Sequence, residues 1–492
     1  MILFLVGHTY KYESEKVCRI FFPLEKIVFA DSLSFPVPED SKKVVTEMRV
    51  RGDFTDYICT ADIDGVRSSH TVTGRTEKEV VIEENSLAVA MVKVLSEITG
   101  TVPPWGILTG VRPSKLMRKL ISSFGEDEAQ SIFSGDLLVS GGKTKLAYNV
   151  ALAENGAIAL SKPESFSLYI SIPFCPTRCS YCSFVSHSVA QAKKLIPDYV
   201  RLLRGEIKQT ADLAKSLSLR LETVYFGGGT PTSLSAEELE TLLYAVNESF
   251  DMSTCREFTV EAGRPDTVDE KKLSVLKNAR VGRISINPQT FSDEVLCNIG
   301  RMHSAAETKE KFLLARSLGF DNINMDLIAG LTGDTLEGFK NSVEKAVSLS
   351  PENITVHTLA LKRASRMSAE NELPESARQT SGMVELSNSL LSENGYSPYY
   401  MYRQSKSLGN LENVGWAKPG RACLYNIYMM EETHTVLACG AGAVTKLREP
   451  GGELIERIYN FKYPYEYISR FAEMAERKKH IAEFYAKGRS DG

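Results

Sequence analysis

The stretch Tyr169–His187, YISIPFCPTRCSYCSFVSH, decides how this chain is read. Tyr169, Ile170, Ile172 and Phe174 form a short apolar run with β-branched residues, the pattern of a strand. Pro173 and Pro176 close that strand and open a loop. The loop carries Cys175, Cys179 and Cys182 in C-x3-C-x2-C spacing, so three thiols are delivered at the C-terminal end of a strand.

A cubane iron–sulfur cluster is normally held by four Cys thiolates. Three leave one iron without a protein ligand, open to a small molecule bearing an amine and a carboxylate. The other readings are packing thiols, redox thiols or zinc. Free Cys is usually buried packing, but three so close together on a turn fill a core poorly. Structural zinc wants a fourth ligand, usually from a second C-x2-C or a His pair. His187 is near, but no second pair follows. The cluster is the favoured reading, with zinc or redox thiols as the alternative.

The wider pattern, Y-I-x-I-P-F-C-x3-C-x-Y-C, resembles the radical S-adenosylmethionine (SAM) superfamily, and within it the oxygen-independent coproporphyrinogen III oxidase (HemN-like) family. The longer, HemZ-type branch with an N-terminal extension is similar essentially end to end. The resemblance implies one 4Fe–4S cluster on Cys175, Cys179 and Cys182, and one or two molecules of SAM per chain. It implies SAM contacts at Tyr169, Tyr181, Gly228, Gly229, Thr230, Glu261, Gln289, Arg301, Asp326, Ala360 and Val444. Tyr181 matches the aromatic over the adenine, and Gly228, Gly229 and Thr230 match the loop at the amine end.

The activity implied is oxidative decarboxylation of coproporphyrinogen III propionates to vinyls, giving protoporphyrinogen IX. A tetrapyrrole substrate, a flavodoxin- or ferredoxin-type electron donor and an electron acceptor would be its partners. Two departures stand out. Phe184 occupies the place of a fourth Cys in the best-known enzyme, as a non-Cys residue does in the heme-chaperone (HemW-like) branch. Residues 1–160 also lack that enzyme's Arg/Tyr-rich substrate segment. The alternatives are therefore a heme chaperone of the HemW type and a radical SAM enzyme that opens or methylates heme.

The 492 residues suggest about two to four domains. A net charge of −4 gives no electrostatic case for nucleic acid. No long apolar run suggests a membrane span, and residues 1–16 read as a first strand and not a signal peptide. Nine cysteines, three clustered and six scattered, argue for a reducing cytoplasm. The other six, Cys18, Cys59, Cys255, Cys297, Cys423 and Cys439, read as buried or incidental thiols.

The fold class expected is α/β: a partial (β/α)6 barrel over 165–370, an N-terminal α+β domain over 1–160 and a mostly helical C-terminal domain over 371–492. Strands are expected at Leu221–Phe226, Glu257–Glu261, Arg283–Ile286, Ile323–Leu327 and Ile354–Leu359, separated by helical segments. Ser235-x-x-Glu238 reads as a capping box. In such barrels chemistry belongs at the C-terminal strand ends, where the candidates fall. In the N-terminal part, Asp64-Gly65 signals a hairpin turn. Gly106, Gly110 and Arg112-Pro113 read as a structural turn before a basic helix, or else as an anion site. A linker is expected within Glu154–Ser165, a long helix over Glu370–Asn394 and a loop over Asn410–Gly420. Tyr399, Tyr400, Tyr402, Arg403, Trp416, Arg457 and Tyr459 would suit a flat tetrapyrrole with propionates, or else fill a core.

Overall fold

The strand–helix alternation after residue 160 folds into one twisted sheet. The computed structural model describes all residues except 24, 31–34, 36–37, 39–40, 76–79, 183, 185–186, 361–376, 405–406 and 491–492. The chain divides into two units, residues 1–151 with 402–412, and residues 152–401 with 413–492.

The first unit holds β1 (Ile2–Val6), β2 (Val28–Ala30), β3 (Lys43–Arg51), β4 (Phe54–Ile63) and β5 (Val66–Arg75), in the order β2-β1-β3-β4-β5. Asp64 and Gly65 turn β4 into β5 with φ of 52° and 83°, the positive pair a tight hairpin needs. Helix Val80–Thr99 follows as one piece. Gly106 is a packing glycine: a Cβ there would meet the Leu137 carbonyl oxygen at 2.1 Å. The loop after it presents acceptors to a cation. Arg403 donates to the carbonyls of Leu108 (2.7 Å) and Gly110 (3.3 Å), so the anion reading of this loop gives way to a structural one. Trp105 Nε1 and Lys143 Nζ both donate to the buried Glu412 carboxylate, at 2.7 and 2.6 Å, which fixes residues 402–412 in this unit.

The second unit is built on β6 (Ser165–Ile172), short β7 (Phe174–Cys175) and β8 (His187–Ser188), β9 (Arg220–Gly228), β10 (Glu257–Glu261), β11 (Arg283–Ser285), β12 (Ile323–Ala329) and β13 (Asn353–Thr358). Beyond them come β14 (Ser397–Arg403), β15 (Glu412–Ala417), β16 (Thr435–Cys439), β17 (Val444–Arg448) and β18 (Ile455–Tyr459). The sheet order is β14-β15-β13-β12-β11-β10-β9-β6-β16-β17-β18. From β6 through β13 neighbouring strands run parallel, giving the six-stranded partial barrel. Their side chains are nearly all buried, as expected of strands covered on both faces. β16 adds parallel to the other edge of β6, placing the strand that leads into the thiol loop inside the sheet.

Several boundaries differ from the sequence reading. Residues 154–160 continue helix Gly141–Leu160, an alanine-rich run that keeps good helix formers past the expected linker. The unit boundary accordingly falls at 151/152, and residues 413–492 share the barrel's unit because β15 to β18 extend its sheet. Residues 412–417 are a fully buried strand, not a loop. The described helix after the barrel is Ala377–Glu393; the expected start at Glu370 and the 370/371 boundary lie outside the described residues. The capping box is present, with Ser235 and Glu238 each satisfying the other's backbone N–H.

Candidate functional site

The thiol loop is clamped between two strand ends. Backbone N–H groups of Gly229 and Thr230 donate to the carbonyls of Ile172 and Phe174, both at 2.7 Å. A Cβ on Gly229 would lie 2.6 Å from the Phe174 oxygen and 3.0 Å from Cys175 Sγ, so only glycine lets the two loops close together. Gly228, with φ of 108°, makes the turn that allows it. Thr230 Oγ1 then stands 3.5 Å from Cys175 Sγ.

The far side of the loop is held by a residue the sequence reading passed over. Arg264, buried just beyond β10, donates to Thr177 Oγ1 at 3.2 Å and reaches Cys179 Sγ at 3.6 Å. Asp266 pairs with it at 2.7 Å. Thr177 and Ser180 also bind the carbonyls of Gly300 and Ile299, and the Cys182 N–H donates to the Cys179 carbonyl at 3.2 Å. Burial pushes the Cys182 thiol up to about 11, and the neighbouring Cys179 and Cys175 add to that rise. The three sulfurs thus share one electrostatic neighbourhood. Iron would draw off their protons, since the thiolate is the ligand. Among the described residues no three His, Cys, Asp or Glu side chains converge on one point as a single metal ion needs; a cubane spreads its ligands over separate irons. The soft, all-sulfur donor set and the glycine cradle fit such a cluster.

Of the remaining candidates Glu261 ends β10, Gln289 and Ala360 follow β11 and β13, and Arg301 follows helix Asp293–Asn298, whereas Tyr169 and Asp326 lie within β6 and β12 and not at their ends. Arg301 donates to the Tyr181 hydroxyl at 3.0 Å and to the carbonyls of Gly263 and Asn287, while its buried Nε makes no hydrogen bond. The expected carboxylate fork is thus occupied in large part by Tyr181 and backbone. Tyr169 stacks in a cluster with Tyr225 and Tyr425, with Tyr225 and Tyr425 centroids 4.4 Å apart. Tyr225 donates to Glu261 at 2.6 Å. Burial pushes Glu261 up to about 8; the Tyr225 hydroxyl pulls it back and the Asp326 carboxylate adds to the rise. Asp326 behaves oppositely. Burial raises it, but His357, Asn324 and Thr355 outweigh that and hold it below its usual value. Asn287 Nδ2 also donates to Asp326, at 2.7 Å. Gln289 is a buried non-glycine at φ 68°, clamped to β12 through the Asp326 carbonyl and the Ile328 N–H. Strain of this kind gathers at binding sites. Ala360 follows β13 half-buried, and Val444 opens β17 beyond the Gly440 turn, where a Cβ would strike the Ser171 oxygen at 2.5 Å.

Arg264, Tyr225, Tyr425, Asn287 and His357 were missed. Arg264 and His357 carried a signal, being ionisable residues after or within apolar strands; Tyr425 carried none. The proposed aromatic platform is not assembled. Tyr399, Tyr400 and Trp416 are core residues, Arg403 binds backbone carbonyls, and Arg457 pairs with Glu432.

The Radical SAM superfamily model matches residues 169–346. The oxygen-independent coproporphyrinogen-III oxidase-like protein HemZ of Bacillus subtilis (strain 168) is 39% identical over 86% of this chain and 87% of its own length. The heme chaperone HemW of Haemophilus influenzae is 33% identical over 63% of this chain and 77% of its own. Coproporphyrinogen III oxidase (HemN) from Escherichia coli, titled a radical SAM enzyme, shares the fold with a TM-score of 0.52 at 22% identity, over 66% of this chain and 73% of that one. Such proteins use a 4Fe–4S cluster and SAM, and the chain belongs to the radical SAM superfamily, in its HemZ/HemN-like family.

Proposed function

We propose that this chain oxidatively decarboxylates the propionates of coproporphyrinogen III to vinyl groups. In this reading Cys175, Cys179 and Cys182 hold the cluster. Gly228, Gly229 and Thr230 meet the amine end of SAM, Glu261 and Asp326 take its amine and ribose hydroxyls, and Tyr181, steadied by Arg301, covers the adenine. Tyr169, Gln289, Ala360 and Val444 line the same cleft. SAM on a reduced cluster supplies a 5′-deoxyadenosyl radical, which takes hydrogen from a propionate β-carbon. Carbon dioxide leaves, and the remaining electron passes to an acceptor. The protein's share is to position the partners and exclude water. The observation that carries the reading is the thiol loop locked to Gly229 beside two carboxylates held at opposite protonation tendencies.

A second reading, a heme chaperone, is favoured by Phe184. It stands 62% exposed where the best-known decarboxylase has a fourth Cys, and the HemW relatives are named as chaperones. Anaerobic incubation of reconstituted protein with coproporphyrinogen III, SAM and a reductant separates the readings. Vinyl product with 5′-deoxyadenosine, lost in Cys175→Ala, is expected. Stoichiometric heme binding without product would assign the chaperone role, and heme-dependent SAM cleavage a ring-modifying one.

A further inference from the structure

At the N-terminal ends of the barrel strands, away from the thiol loop, lies a cavity of about 900 Å³. Glu257 opens β10, Arg283 opens β11, and Asp321 and Asn322 directly precede β12; all four line it. So do Arg256, Arg280 and Arg421, making four guanidinium groups against the two carboxylates of Glu257 and Asp321. An apolar wall of Leu160, Met252, Leu424 and Ile427 faces them.

Three of the arginines have carboxylate partners: Arg256 stands 3.3 Å from Glu222, Arg283 3.6 Å from Glu257 and Arg421 3.5 Å from Asp321. Glu257 accepts from the N–H groups of Leu424 (2.9 Å) and Tyr425 (3.1 Å) and from Cys423 Sγ (3.2 Å), so its charge is committed to the start of helix Leu424–Glu431. Arg283 is 2% exposed; its Nη2 donates to the Arg421 carbonyl at 2.6 Å, and its Nε faces the Glu257 carboxylate at 3.6 Å without a hydrogen bond. Arg421 meets Asp321 at 3.5 Å on the exposed rim. Arg280 is also exposed and has φ of 62°. It ends helix Glu270–Asn278, with its N–H on the Lys277 carbonyl and the Val281 N–H on the Leu276 carbonyl. That position usually takes glycine, as Gly319 does at φ 84° after helix Ala305–Ser317. Arginine there holds a strained backbone and sets a guanidinium at the cavity mouth.

We propose that this cavity binds an organic oxyanion bearing at least two acidic groups on an apolar body. Arg280 and Arg421 take the acidic groups through their planar forks, and the apolar wall takes the body. A tetrapyrrole carboxylate and a nucleotide share this chemistry.

The test is equilibrium dialysis of the full reconstituted protein against coproporphyrin III and, separately, ATP. Saturable binding of at least one probe is expected, and which one binds identifies the source. Arg280→Gly and Arg421→Gln should each weaken that binding about tenfold, with iron content and SAM cleavage unchanged. Arg280→Gly suits the left-handed backbone, so its melting temperature should not fall, which separates lost binding from lost folding. If coproporphyrin III also enters the barrel mouth, the variants lose one of two binding equivalents. No binding of either probe at about 1 mM overturns the proposal; wild-type affinity and stoichiometry in both variants overturns it and leaves the decarboxylation reading untouched.

Discussion

Glu261 and Asp326 are neighbouring carboxyls that titrate in opposite directions, and the cause is local. Asp326 is surrounded by donors from Asn287, Asn324 and His357, whereas Glu261 has one, the Tyr225 hydroxyl. Unfolded, Glu261 ionises near its usual 4.5; folded, at about 8. Between those values the folded chain keeps a proton the unfolded chain has lost. Stability is therefore lost as pH rises through that window. In cofactor-free protein, Glu261→Gln should melt at the wild-type temperature near pH 5 and at least roughly 2 °C above wild type near pH 8.5. Scanning fluorimetry across pH reads this, and parallel curves would refute it. At this scale the thiols and glycines were legible because each chemistry needs a rare residue at fixed spacing. Arg264 showed only as an ionisable residue after a strand, and Tyr425 not at all, since the thiol loop and the aromatic cluster are assembled from chain segments far apart in sequence.

Between elements, closeness is set by what is missing from a side chain. Gly229 has an ordinary backbone conformation, so replacing it by alanine meets only the contacts of the new Cβ, at 2.6 Å from the Phe174 oxygen and 3.0 Å from Cys175 Sγ. Overpacking of this kind costs about 1–3 kcal/mol. It falls on the hinge between β9 and the thiol loop. Gly229→Ala is expected to keep its far-UV circular dichroism and to bind well below wild-type iron and sulfide on reconstitution. Full iron loading would show that the two loops can part without consequence. The strands were legible for the same local reasons as the capping box: period, β-branching and turn residues. Their order was not, because nothing local says that β16 will pair with β6, nor that β15 will lie antiparallel beside β13.

For the molecule as a whole, the informative segment is 402–412, which belongs to the first unit although the barrel precedes it in sequence. Lys143 and Glu412 are 3% and 1% exposed, and removing one partner of such a buried pair costs about 3–5 kcal/mol. Residues 1–151 alone should therefore melt lower than the same residues fused to 402–412. The fusion should also blue-shift the emission of Trp105, the fragment's single tryptophan. Equal stability of the two proteins would remove Glu412 from the account. Sheet order has a consequence of another kind. β6 is flanked by β9 on one side and by β16, residues 435–439, on the other. Synthesis runs from the N-terminus, so the ribosome exposes β6 and the thiol loop that follows it more than two hundred and fifty residues before the strand that covers the second edge of β6. Throughout that interval one edge of β6 has no partner strand, an open template for mispairing just upstream of the thiol loop.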